Sequence, residues 1–149
     1  MALTGSILVL RALGLGDLLT IVPALRGLRS AHPDDRLVLA APEALRDLVG
    51  LIDAVDELLP TAGLGALRWQ GAPPRWAVNL HGSGPESIRD LLAQRPEALL
   101  THRHPDFPEL PGPEWRDDLH EVERWCRLLE YGRIDADPTD LLLPAPPRP

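Results

Sequence analysis

Two short apolar runs, each closed by a glycine turn and followed by an amphipathic segment, constrain this chain more than any other feature. Ile7-Leu8-Val9-Leu10 runs into a turn containing Gly14 and Gly16, with Asp17 where a helix begins. Trp76-Ala77-Val78-Asn79-Leu80 runs into His81-Gly82-Ser83-Gly84, with Pro85 placed to open the next helix. An apolar run without alternation reads as a strand covered on both faces, which is the setting of a parallel sheet. Strands alternating with helices predict an α/β fold: a Rossmann-like parallel sheet with helices on both faces. Open sheets of this kind bind ligands in the crevice at the carboxyl ends of their strands, which is where both glycine turns fall.

The remaining segments fit the same alternation. A first helix over 18–30 places Leu18, Val22, Leu25 and Leu28 on one side, and Pro23 inside it predicts a kink. Arg36 to Ala41 reads as a second strand, and Pro42 opens a helix burying Leu45, Leu48, Val49 and Ile52. Val55 to Leu59 reads as a third strand ended by Pro60. Over 61–74, Leu64, Leu67 and Trp69 suggest a short helical turn. Ala98 to Thr101 reads as a fifth strand, and the proline-rich stretch 103–116 as an irregular surface loop. Asp117 or Asp118 is expected to cap a last helix that buries Leu119, Val122, Cys126 and Leu129 and is closed by Gly132. Residues 1–143 make one domain on this reading, and 144–149 a stiff proline-rich linker.

Composition narrows the function classes. With 149 residues the chain is about one domain long. Its formal net charge of −7 gives no global attraction to nucleic acid or to anionic lipid, so at most a peripheral membrane contact is expected. No apolar run approaches the roughly 20 residues of a spanning helix. All 15 basic residues are arginine, which excludes a Walker-A loop and a lysine Schiff base within this chain. The first six residues carry no basic leader and Cys126 is alone, which predicts a cytoplasmic protein without an internal disulfide. His102, His104, His120 and Cys126 lack the tight pair spacing of a metal site, and no metal is expected. Trp69, Trp76, Trp115 and Trp125 are scattered, reading as core and loop anchors and not as a stacking platform for nucleic acid.

The first glycine turn approaches a dinucleotide fingerprint, but Leu19 stands where the third glycine would be, so no nicotinamide cofactor is expected. Asp17 has two compatible readings. It is a helix N-cap, worth about 1 kcal/mol, or a carboxylate at a cleft mouth able to take a substrate proton. The His81-Gly82-Ser83-Gly84 loop faces the same sheet edge and reads as a ligand contact or as a plain glycine turn. The chain has no Gly-x-Ser-x-Gly elbow, so serine hydrolysis would lack its nucleophile.

Arg11, Leu13-Gly14-Leu15-Gly16-Asp17-Leu18-Leu19, Pro23-Ala24-Leu25-Arg26-Gly27-Leu28-Arg29 and His32-Pro33 together resemble the start of glycosyltransferase family 9, the ADP-heptose:lipopolysaccharide heptosyltransferases. Val55-Asp56-Glu57-Leu58-Leu59-Pro60, Asn79 to Ser87 and Glu121 to Leu129 resemble later blocks of one subgroup. The resemblance implies the acceptor-binding N-terminal half of a two-domain GT-B enzyme of lipopolysaccharide biosynthesis that works by inversion and without a metal. A saccharide or glycolipid acceptor would bind here. An ADP-heptose-like nucleotide-sugar donor would bind a C-terminal domain that this chain does not contain, leaving the chain inactive alone. The resemblance further implies Asp17 as general base, and Arg11, Gly14, Gly16, His81, Gly82 and Ser83 as acceptor-binding residues. Leu13 and Gly14 depart from the small hydroxyl residues of better-known members, and the basic stretch after their third strand is missing here, which points away from an acidic Kdo-type acceptor. The competing reading is a non-catalytic Rossmann-like module that binds a small anion or a partner domain at the same turn.

Overall fold

A computed structural model describes residues 5–146. Five strands form one parallel sheet: β1 Ser6–Leu10, β2 Arg36–Ala41, β3 Glu57–Pro60, β4 Trp76–Asn79 and β5 Ala98–Leu100, in the order β3-β2-β1-β4-β5. Val9 at the centre of β1 is in register with Leu39 on one side and Val78 on the other. The chain builds outward from β1 to β2 and β3, then returns to place β4 on the other side of β1. The order therefore reverses between β1 and β4, and the two glycine turns flank that switch point.

Alternate residues of β1 enter opposite layers. Ile7 and Val9 pack with the helices α2 (Val22–Ala31), α3 (Arg46–Ile52) and α5 (Glu121–Tyr131), around Leu25, Leu28, Val49, Trp125 and Leu128. Leu8 and Leu10 pack beneath α4 (Pro85–Leu92) through Leu91, together with Leu67. The expected sheet with helices on both faces is what the chain forms. Among the described residues no helix is long and apolar enough to cross a membrane.

Several expected boundaries move, each for a local reason. The kinked helix over 18–30 is two helices: α1, Leu15–Leu19, and α2, which begins at Val22 with Pro23 in its first turn. Proline is suited to a first turn because the N–H it lacks has no intrahelical acceptor there. The helix after Pro42 begins as a single 3-10 turn, Glu43–Leu45, before α3. Over 61–74 no helix forms. The segment lies in turns pinned by α4 and the residues just after it, where Asp90 accepts from the Gly65 amide and the Gln94 side chain accepts from the Trp69 amide and donates to the Leu67 carbonyl. The last helix is capped at His120, not at Asp117 or Asp118, and its buried side is Trp125, Leu128 and Leu129 with Cys126, while Leu119 and Val122 are half-buried. Asp117 and Asp118 instead pair with Trp115 and Arg116 in the preceding loop.

The loop 103–116 is irregular, as expected, and is tied back by the Arg103 amide donating to the Pro113 carbonyl. Of the proline-rich tail, residues 147–149 lie outside the described residues.

Candidate functional site

The end of β1 delivers Arg11 into the crevice between β1 and β4, and the chain around it is arranged to satisfy a buried guanidinium. Arg11 is 2% exposed. Its Nε donates to the Asp17 carbonyl at 3.1 Å, and Nη1 donates to the carbonyls of Leu80 and His81 at 2.9 and 3.0 Å. Nη2 donates to the Thr20 hydroxyl at 3.1 Å and lies 3.5 Å from both the Asp17 and the Glu121 carboxylates. The guanidinium carbon stands 5.1 Å from the centre of the Trp125 ring. Burial pulls its pKa below the ordinary arginine value, while Asp17 and Glu121 oppose that fall. One cation thus ties the β1–α1 turn, the β4–α4 loop and the first turn of α5 together. Every donor is directed at the protein, so Arg11 orients its neighbours and presents no donor to solvent.

Asp17 is not the helix cap. Gly14 holds the N-cap position of α1 in extended backbone, and Asp17 is the third helical residue, with no side-chain cap bond. Its carbonyl is engaged by Arg11 and by the Thr20 hydroxyl at 2.7 Å. Its carboxylate is free of those bonds: Oδ1 faces the Arg11 guanidinium at 3.5 Å, and the side chain is 51% exposed. The result is a carboxylate anchored from behind by a buried cation and open on its outer side. Gly14 and Gly16 beside it are exposed, and a Cβ on either would meet nothing. Leu15 and Leu19, on the same short helix, are exposed at 57% and 38%.

The second turn is built with equal care. Asn79, the last residue of β4, is buried. Its amide group donates to the Ser87 hydroxyl at 3.0 Å and to the Thr101 hydroxyl at 3.1 Å, and its side-chain oxygen accepts from the His81 amide at 3.1 Å. This fixes the His81-Gly82-Ser83-Gly84 loop to α4 and to the end of β5. The His81 ring reaches back across the switch point, where Nδ1 accepts from the Ala12 amide at 3.2 Å. Burial first, and Arg11 second, push the His81 pKa below the ordinary histidine value. Gly82 and Gly84 are half-buried and Ser83 is exposed.

Asp17, Arg11, Gly14, Gly16, His81, Gly82 and Ser83 therefore do lie on one sheet edge. Glu121, Thr20 and Asn79 were not among the residues expected there. Asn79 carried a signal, a polar residue ending an apolar strand. Glu121 carried none, since its approach to Arg11 depends on how α5 docks. His102 is buried among the edges of Trp115 and Trp125, and its Nδ1 has no hydrogen-bond partner. Burial, with Arg124 and Arg127 nearby, holds its pKa down at about 4. Cys126 is buried on α5, and burial pushes its thiol up to about 11. Among the described residues no three His, Cys, Asp or Glu side chains converge as metal ligands.

A solved structure of a glycosyl transferase family 9 protein from Veillonella parvula DSM 2008 superposes with a TM-score of 0.70 at 19% identity, over 96% of this chain and 45% of that one. The chain shares the fold of a family 9 glycosyltransferase. E. coli ADP-heptose lps heptosyltransferase II matches with a TM-score of 0.62 at 20% identity, over 83% of this chain and 39% of that one. This chain thus spans less than half the length of either structure, and its five-stranded parallel sheet corresponds to a Rossmann-like half of such an enzyme. No family model matches the sequence, and no curated protein matches it.

Proposed function

We propose that this chain is the acceptor-binding N-terminal part of an inverting, metal-independent glycosyltransferase of the heptosyltransferase type, acting in the cytoplasm with at most a peripheral hold on the inner face of the membrane. The observation that supports it most is the Asp17 carboxylate, set at the switch point of a glycosyltransferase-like sheet with a buried arginine behind it and solvent in front. A general base must be reachable by the acceptor hydroxyl, and that condition follows from the arrangement. In the proposed step the hydroxyl of a saccharide or glycolipid acceptor gives its proton to Asp17 as its oxygen bonds to the anomeric carbon of the donor. The bond from that carbon to the nucleotide diphosphate breaks on the opposite face, and the diphosphate leaves with the bonding pair.

Arg11 serves here by holding Asp17 and the His81 carbonyl in place. Gly14, Gly16, Gly82 and Ser83 supply backbone close to the acceptor. The donor, an ADP-heptose-like nucleotide sugar, binds a C-terminal domain that closes over this edge. Leu15 and Leu19 also suit the competing reading, in which the edge only docks a partner domain.

The two readings separate on one assay. A polypeptide joining this chain to the sequence encoded after Pro149 is incubated with a nucleotide-sugar donor and saccharide acceptors, and nucleotide diphosphate release is followed. Acceptor-dependent release supports the transferase; a downstream sequence with no nucleotide-sugar domain, or no release with any acceptor, favours the docking module.

A further inference from the structure

The His81 ring is held in one tautomer by the backbone of another element. A backbone N–H can only donate, so the Nδ1 that accepts from Ala12 carries no proton, and in the neutral ring the proton must sit on Nε2. Nε2 makes no hydrogen bond to the described residues. It is also not a buried atom, since the single buried side-chain nitrogen or oxygen without a partner among them is Nδ1 of His102. The ring therefore turns one nitrogen into the protein and leaves the other, a donor in the neutral ring, without a partner among the described residues.

Both ends of this residue are fixed: the His81 amide donates to Asn79, its carbonyl accepts from Arg11, and its ring accepts from Ala12. The same guanidinium faces Asp17. An acceptor sugar presents several oxygens close together, one of which must lose a proton while the others keep theirs. Asp17 supplies an acceptor and His81 a donor, the pair of complementary groups needed to hold two oxygens of one polyol.

We propose that His81 is a specificity-determining hydrogen-bond donor, its Nε2–H engaging a second oxygen of the saccharide whose reacting hydroxyl faces Asp17. It is a neutral donor and not a second base. The inference rests on the proposed acceptor site. The lowered pKa of His81 agrees with it, because a cationic ring would lose the Ala12 bond.

The experiment uses the 149-residue chain with isotope-labelled imidazole nitrogens and long-range proton–nitrogen correlation, titrated with methyl hexopyranosides and a methyl heptopyranoside. The expected result is an Nε2–H tautomer of His81 at neutral pH and a shift of its Nε2 signal on adding a glycoside, with the shift retained in Asp17→Asn. His81→Asn, which can still accept from Ala12 but has no atom at the Nε2 position, is expected to bind about 3- to 10-fold more weakly. His81→Gln, which sets an amide donor there, should recover part of that loss. An Nδ1–H tautomer, or glycoside shifts that spare His81, overturns the inference and leaves the acceptor site standing. Glycosides that shift no residue of this edge overturn both.

Discussion

The guanidinium of Arg11, at the end of β1, lies 3.5 Å from the carboxylate of Glu121, in the first turn of α5. The contact joins the first strand to the last helix at the point where Asp17 is held. Glu121 also accepts from the Trp125 indole at 3.2 Å and pairs with Arg124, so the carboxylate, the ring and two arginines form one cluster. Its coherence makes Arg11 costly to lose.

Arg11→Met removes a buried cation and leaves two carboxylates facing each other, with the carbonyls of Leu80 and His81 lacking a donor. A loss of about 1–3 kcal/mol is expected, the scale for buried acceptors left without their donor, since the carboxylates that remain are half exposed. Arg11→Lys keeps the charge but cannot reach all these partners, so it should fall between the two in urea denaturation.

Asp17→Asn should cost less than about 1 kcal/mol in the same measurement. Its ion pair is half exposed, where such contacts contribute little, and Asp17 caps no helix. A larger loss would show a structural role that its geometry does not provide.

His102 sets an acid limit on stability. Its folded pKa of about 4 lies below the usual 6.5, so the unfolded chain binds its proton more readily. The stabilisation is complete above about pH 6.5 and falls away as the pH drops toward 4. His81 is shifted in the same direction and adds to the effect. His102→Phe should flatten the unfolding free energy between pH 6.5 and 4.5, by about 2 kcal/mol relative to the parent, in urea titrations at each pH.

Gly112 lies against the end of β5, where a Cβ would come within 2.0 Å of the Thr101 carbonyl oxygen and close to the Arg103 amide. Backbone on both sides leaves no side chain to swing away. Gly112→Ala should therefore lift the 103–116 loop and lower the unfolding midpoint, with a cost of about 1–3 kcal/mol. Faster amide exchange at Arg103, whose partner is Pro113, would report the displacement.

The parts of the fold legible in the sequence were those set by local pattern. Unbroken apolar runs marked β1, β2 and β4, and helical spacing marked α2 through Leu25 and Leu28. The Pro23 boundary was misplaced because a proline within a helical pattern reads equally as a kink or as a first turn, and only the packing of Ile21 and Val22 into the core decides. The short helical turn suggested within 61–74 gives no helix, because Asp90 of α4 and Gln94 just beyond it satisfy that backbone instead. In the site, the glycine turns located the edge. The cap reading of Asp17 failed because Gly14 takes the extended backbone that a cap requires. The link from Arg11 to Glu121 joins residues from opposite ends of the chain, and no local spacing encodes it.

The central claim, that Asp17 takes the proton of the acceptor hydroxyl, is tested most directly by comparing kcat for sugar transfer by the parent and by Asp17→Asn, each in the polypeptide that includes the donor-binding domain. With folding and acceptor affinity unchanged, kcat should fall by a factor on the order of 100 or more, the scale of a positioned general base. Transfer at the parent rate by Asp17→Asn would contradict the account.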